Sequence, residues 1–283
     1  MALAERYPNL EIVSIDAMQV YRGMDIGTAK PSADERRRVV HHLVDVVDPT
    51  EEFTVARFQS EYRQARVAIA AAGRTALLVG GTGLYARAAI DELVIPGNWP
   101  DIRARLEAEA LESGSAALHE RLGRLDPIAA TKMEPSNARR VVRALEVIEG
   151  SGRPFSSFGP GVDTYPQTEV VQFAVRWPRA VLAQRIVERI DAMIDAGWLD
   201  EVERLRSVPL SRTAAQALGY EELRRHLDGE WTLERAREEI VIRTRQFAVR
   251  QERWFRRDPR VQWIDVDSDP VAECLPRVES HLA

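Results

Sequence analysis

Lysine is almost missing from this chain. Lys30 and Lys132 are its only two among 39 basic residues, so 37 are arginines. Positive charge must therefore act through guanidinium, which grips phosphate bidentately and stacks on rings as an ammonium does not. A GC-rich coding sequence produces the same bias, so the count alone assigns no function. Cysteine occurs once, at Cys274. That rules out an internal disulfide and fits a reducing cytoplasm. The five histidines and one cysteine show no zinc-type spacing. No apolar run is long enough to span a bilayer, and no secretory signal is read at the start. An excess of positive charge is lacking too: the net charge is −5. Any contact with nucleic acid must use a local patch. What is present is ordinary for a globular chain of 283 residues, with 45% hydrophobic and 29% charged residues. That is enough to bury one large core or two smaller ones.

Ile12-Val13-Ser14-Ile15 reads as a buried parallel strand. It delivers Asp16 to its C-terminal end, outside which ligands bind in open α/β sheets. A helix cap or turn is the commoner role for such an Asp. A polar loop with Gly23 and Gly27 then runs to Pro31. Residues 33–72 read as mainly helical, interrupted at Val46-Val47-Asp48-Pro49, where the proline ends regular structure. Gly73 closes that helix. Thr75-Ala76-Leu77-Leu78-Val79 is a second buried strand, and Gly80-Gly81-Thr82-Gly83 follows it. This is βαβ logic with a parallel sheet. After a break at Pro96-Gly97-Asn98-Trp99-Pro100, residues 101–150 are helical with short interruptions. Residues 151–168 read as an exposed loop, 170–175 as a return to the sheet, 178–259 as helical and 261–266 as a last strand. The expectation is an α/β core from residues 1–97 and 170–283, interrupted by a helical insertion over 98–169.

Two groups of residues look chemical. The glycines around Thr82 let backbone amides approach an anion closely, although glycine turns after strands are common. The segment 235–257 carries eight arginines and three glutamates. On a helix, Ile240, Phe247 and Trp254 recur every seven residues and are expected to pack inward. Arg243, Gln246, Arg250, Arg253 and Arg257 form a polar stripe suited to phosphate, base-edge and stacking contacts. A solvated cationic face is the plainer reading of such a run.

Several ordered segments resemble the tRNA dimethylallyltransferase family. Asp16 to Pro31 reads D-A-M-Q-V-Y-R-G-M-D-I-G-T-A-K-P, with Ala17 where the family usually has serine. V-G-G-T-G-L-Y at residues 79–85 matches without departure. N-A-R-R-V-V-R-A-L-E at 137–146, A-L-G-Y-E-E at 217–222 and R-T-R-Q-F-A-V-R-Q-E-R-W-F-R at 243–256 complete the set. Glu221 stands where a basic residue is common in that family. The resemblance implies a P-loop NTPase-like parallel sheet with a helical insertion facing tRNA. It implies transfer of a dimethylallyl group from dimethylallyl diphosphate to N6 of adenosine 37 in the tRNA anticodon loop, with Mg²⁺ as cofactor. Asp16 is implied as general base and Thr82 as its catalytic neighbour. Ala17, Met18, Gln19, Arg103, Arg139, Arg140, Val141, Val142, Arg143, Gly219, Tyr220, Arg250 and Arg253 are implied tRNA contacts, and Arg243 and Arg245 diphosphate contacts. A monomer in the cytoplasm is expected.

The family's opening strand and phosphate loop, G-P-T-[AG]-[ST]-G-K-[ST], have no counterpart here; Met1-Ala2-Leu3-Ala4-Glu5-Arg6 looks like the tail of the helix after that loop. The expectation is a slot beside the Ile12–Ile15 strand, and low activity and stability for the chain as it stands. An inert RNA-binding protein, a phosphate-loop nucleotide kinase and a transferase acting on free AMP are the competing readings. The large insertion and the cationic helix argue against the two small-substrate enzymes.

Overall fold

The computed structural model describes residues 1–159 and 161–282. The chain divides into two compact units, Met1–Asp91 with Gln167–Ala283, and Glu92–Pro166.

The first unit opens with a short helix, α1 (Ala2–Arg6), whose Ala4 packs on the strand that follows. That strand, β1 (Leu10–Ser14), is buried at all five residues. Such complete burial suits a run with little polar alternation, covered on both faces. Ser32 and Glu35 form a reciprocal capping box that starts α2 (Ala33–Arg38). The chain then leaves the helix for a two-residue strand, β2 (His41–His42), which pairs with β1 in parallel. This corrects the helical expectation for residues 33–72. Two residues carry no periodicity, and β2 is defined by its neighbour rather than by its own pattern. Thr54 caps α3 (Val55–Ala71), and Gly73 at φ +67° follows it. β3 (Thr75–Val79) pairs with β1 on its other side, and α4 (Gly83–Ile90) follows directly.

The second unit contains α5 (Pro100–Ser113), α6 (Ser115–Leu125), α7 (Pro127–Thr131) and α8 (Ala138–Ser151). They enclose their own core of Leu106, Leu118, Leu122, Val141, Ala144 and Leu145. A short 3-10 turn at Phe155–Phe158 packs Phe155 against it, inside the stretch expected to be exposed loop.

The chain re-enters the first unit with β4 (Gln172–Arg176). Four helices follow: α9 (Arg179–Asp195), α10 (Trp198–Leu205), α11 (Tyr220–Leu227) and the 23-residue α12 (Leu233–Phe255). β5 (Val261–Asp265) pairs in parallel with β4, and α13 (Pro270–Glu279), which the sequence reading missed, ends the fold.

The strands form two separate parallel sheets, β2-β1-β3 and β4-β5. β1 has a partner on each side, so the slot expected beside it is not there. Among the described residues the edge strands are β2 and β3, and on β3 Thr75 and Val79 are exposed. The core around β1 gathers Val13, Tyr21, Met24, Phe58, Tyr85, Trp198 and Ile240.

Candidate active site

Asp16 lies just past the C-terminal end of β1, where the backbone turns sharply. Its Oδ1 accepts the N–H of Met18 at 2.7 Å and that of Gln19 at 3.4 Å. The carboxylate thus builds its own turn, as Asp does in Asx motifs. The next residue, Ala17, donates its N–H to Thr82 Oγ1 at 3.0 Å. Thr82 sits at the start of α4 but does not cap it with its side chain. Its hydroxyl is spent across the sheet instead, joining the ends of β1 and β3.

That approach requires glycine at position 80. Gly80 has φ +153°, and a Cβ there would stand 2.7 Å from the Ile15 carbonyl carbon and 3.0 Å from the Asp16 nitrogen. The loop after the turn is braced as well. Ser14 Oγ donates to Gln19 Oε1 at 2.9 Å, and Gln19 Nε2 donates to the carbonyls of Thr28 and Ala29 at 3.3 and 3.2 Å. Lys30, whose side chain is 1% exposed, donates to the Tyr21 carbonyl and pairs with Asp25 and Asp45.

Protein packed around Asp16 pushes its carboxyl above the usual range. The Met18 and Gln19 N–H groups and the charge of Arg189 oppose that rise without cancelling it. A raised carboxyl is a stronger base once ionised, which suits proton removal.

α12 crosses the glycine turn. Gln251 Nε2 donates to the Gly81 carbonyl at 3.0 Å. A Cβ on Gly83 would fall 2.1 Å from the Trp254 indole, so only glycine lets the helix settle there. The inward seam of α12 differs from the expected one. Ile240 is buried, but Phe247 is 41% exposed. The spacing does put the three on one side of the helix, but it does not fix what packs over each: Trp254 meets the glycine turn, while Phe247 is left open. Phe247 instead lies beside Arg250, whose guanidinium is 5.9 Å from its ring centre. Arg243, Gln246, Arg253 and Arg257 are exposed. Arg243 is nevertheless paired with Glu222, a buried carboxylate that also accepts the Gly219 N–H. Arg245 is exposed and its one resolved bond is a long one, 3.4 Å to the Ala183 carbonyl.

Two of the expected tRNA contacts in this unit are set back. Gly219 is buried against Trp198, and Tyr220 is 4% exposed with its hydroxyl donated to Glu201 at 2.7 Å. Burial, reinforced by the Glu201 charge, pushes the Tyr220 phenol far above its ordinary range, so it stays a donor. These residues support the loop from behind.

In the second unit, Val141 and Val142 belong to the core, at 0% and 4% exposure, so their side chains, unlike those of Arg139 and Arg140, are not open to a tRNA. Arg103 donates from Nε and Nη2 to the fully buried Glu146, which also accepts the Trp99 N–H. Arg143 donates to the carbonyls of Pro96 and Gly97 and pairs with Glu146. Burial alone pushes Glu146 up, but Arg103, the Trp99 N–H and Arg143 outweigh it and hold its carboxyl below the usual range. Arg103 and Arg143 therefore fix the 96–99 segment. Arg139 and Arg140 are exposed on the first turn of α8.

Among the described residues, no group of three or more His, Cys, Asp or Glu is gathered to hold a metal ion. The Mg²⁺ expected from the resemblance therefore has no cage of three or more such side chains among them.

A carboxylate and a hydroxyl brought together at parallel strand ends, beneath an arginine-rich helix, define an α/β enzyme built for an anionic substrate. The comparisons narrow the class. The IPP transferase family model matches residues 19–258, a span opening just past Asp16. A tRNA dimethylallyltransferase of Thermobifida fusca is 50% identical over 276 residues, covering 96% of this chain and 86% of that protein. One from Streptomyces coelicolor is 51% identical over 274 residues, covering 96% and 87%. The solved tRNA isopentenylpyrophosphate transferase of Bacillus halodurans is similar at TM-score 0.69 and 38% identity, over 99% of this chain and 89% of its own. Snapshots of a eukaryotic dimethylallyltransferase acting on tRNA match at TM-score 0.78 and 25% identity, over 98% and 72%. The chain belongs to the IPP transferase family.

Proposed function

We propose that this chain transfers a dimethylallyl group to tRNA, taking it from dimethylallyl diphosphate and placing it on N6 of adenosine 37. The observation that carries this reading is the junction at the strand ends, where the N–H of Ala17, the residue after Asp16, reaches Thr82 Oγ1 and ties the Asp16 turn to the glycine turn after β3.

The exocyclic amine of adenine is a weak nucleophile because its lone pair is delocalised into the ring. In the transfer, N6 forms a bond to C1 of the dimethylallyl group as the C1–O bond to diphosphate breaks. The N6 proton passes to the Asp16 carboxylate, whose raised affinity for protons suits it as the base. The electron pair of the broken bond leaves on diphosphate. Positive charge stabilises that leaving group, and Arg245 is the freer of the two candidates, with Arg243 held by Glu222 behind it. Adenosine must leave its stack to reach this site, a cost that contacts to the extruded base have to offset. Arg139, Arg140, Arg250 and Arg253 are the exposed arginines assigned to tRNA phosphates.

Asp16→Ala is expected to leave tRNA affinity nearly unchanged and to lower kcat for prenylation of unmodified tRNA by roughly 10²–10⁴. Turnover near that of the unaltered protein removes Asp16 from the mechanism. The same assay separates a transferase from an inert RNA-binding chain.

A further inference from the structure

Glu201 is one of the most enclosed carboxylates in the first unit, at 1% exposure, yet it lies on α10, far along the chain from the catalytic turn. A buried carboxylate is costly unless hydrogen bonds replace its water. Glu201 collects four. Oε2 accepts the N–H groups of Asp25 and Ile26, both at 2.8 Å. Oε1 accepts the Gly27 N–H at 3.1 Å and the Tyr220 hydroxyl at 2.7 Å. Three consecutive backbone donors of one loop thus converge on a single side chain 174–176 residues away.

That loop is the one that carries Asp16. One residue beyond Gly27, the carbonyls of Thr28 and Ala29 accept both N–H groups of the Gln19 amide. The other end of that amide accepts from Ser14, and the Gln19 backbone N–H donates to Asp16. The path runs without a break from α10, through the loop and the Gln19 amide, to the carboxylate. Trp198, one turn before Glu201, closes the back of the loop. Its indole nitrogen would stand 2.2 Å from a Cβ at position 27, so only glycine lets the loop lie this close to α10. Water satisfies loop amides at the surface of most proteins at little cost. Here a distant helix supplies the acceptor and so fixes where the loop sits.

We propose that Glu201 is a positioning residue for the transfer: it holds the 25–27 backbone so that Gln19 and Asp16 keep their orientation at the strand end. Its catalytic consequence rests on the reading of Asp16 as the base. Its structural core, a mechanical link from Glu201 to the Asp16 carboxylate, does not.

The test reads that link directly. With ¹³C-labelled aspartate, the titration of the Asp16 carboxyl is followed by NMR in the unaltered chain, in Glu201→Gln and in Glu201→Ala. Arg189 is the charge that acts on Asp16 and Tyr85 a titratable neighbour, and neither is altered. Loosening the loop weakens the N–H bonds from Met18 and Gln19 that hold the carboxyl down, so its midpoint is expected to move up. The shift should be larger for Ala than for Gln, because the Gln amide keeps one oxygen for two of the three loop donors. A midpoint that stays put, or moves down, in both variants overturns the proposal. Glu201→Gln preserves size and shape, which keeps the test informative if Glu201→Ala unfolds.

Kinetics give the second readout. Glu201→Gln should lower kcat up to roughly 10²-fold, the scale on which small misplacements act, with KM for tRNA nearly unchanged. In the Asp16→Ala background the same substitution should have almost no further effect. An equal loss in both backgrounds means that Glu201 does not act through Asp16. Full turnover in Asp16→Ala alone strikes at the base assignment and leaves the NMR result standing.

Discussion

Asp16 shows how one residue trades stability for reactivity. Burial raises its carboxyl, so the folded state binds its proton more tightly than the unfolded state does. The sign of the linkage follows. Between the ordinary Asp value and the raised one, the folded chain holds more protons, and stability falls as pH rises through that window. Above the window the penalty is present in full. Asp16→Asn keeps an oxygen for the Met18 and Gln19 N–H groups but removes the charge. It is therefore expected to raise Tm at pH 7, with the gain shrinking as pH drops below the raised value. Thermal melts at several pH values check this; a constant difference would mean the carboxyl is not strained by burial. The positions of Asp16 and Thr82 at strand ends were legible in the sequence because each follows a short apolar strand, but their chemical roles came only from the family resemblance. Glu201 was not legible. It is one of 44 acidic residues. Its four partners come from two other segments, so no local pattern marks it.

At the scale of elements, α12 carries most of what remains. It combines exposed Arg250 and Arg253 with Phe247, and it closes on the glycine turn through Gln251 and Trp254. Reversing Arg250 and Arg253 to Glu should weaken tRNA binding and flatten its dependence on salt. Each lost phosphate contact should reduce the slope of log K against log salt by roughly 0.7–0.9. A slope that does not change would show that the stripe faces away from RNA. The composition of α12 made the stripe visible, but not what packs over it. A seven-residue spacing put Phe247 with Ile240, whereas the packing of the fold leaves Phe247 open. The strand β2 escaped for a different reason. Two histidines become a strand only because β1 offers them an edge, and a sequence window contains no such edge.

For the whole molecule, the decisive feature is a strand set in two halves, the separate parallel sheets β2-β1-β3 and β4-β5. Gln251 reaches the turn after β3, and the next residue, Glu252, lines a cleft of about 350 Å³ with Arg176 at the end of β4. Neighbouring α12 residues thus touch both halves. Val79 and Val175, at 48% and 49% exposure, leave apolar side chains open on β3 and β4. Extending the chain ahead of Met1 with an apolar strand and a phosphate loop should raise Tm and prenylation activity together. Each apolar side chain covered contributes roughly 1.5–3 kcal/mol before ordering entropy is subtracted. Differential scanning calorimetry and the tRNA assay on both chains decide it. An unchanged Tm would show that the extension leaves these side chains open. The βαβ order was readable from glycines and apolar runs, but the division into two sheets was not, because pairing partners lie far apart in the chain.

The near absence of lysine also has a practical side. Lys30 is sealed among Tyr21, Asp25 and Asp45, while Lys132 is open to solvent at the end of α7. Of the two side-chain amines, an ester-activated dye, a biotin or an amine cross-linker can therefore reach one. A fluorophore attached through lysine reports from the helical insertion alone, while the arginines assigned to the tRNA surface stay chemically untouched.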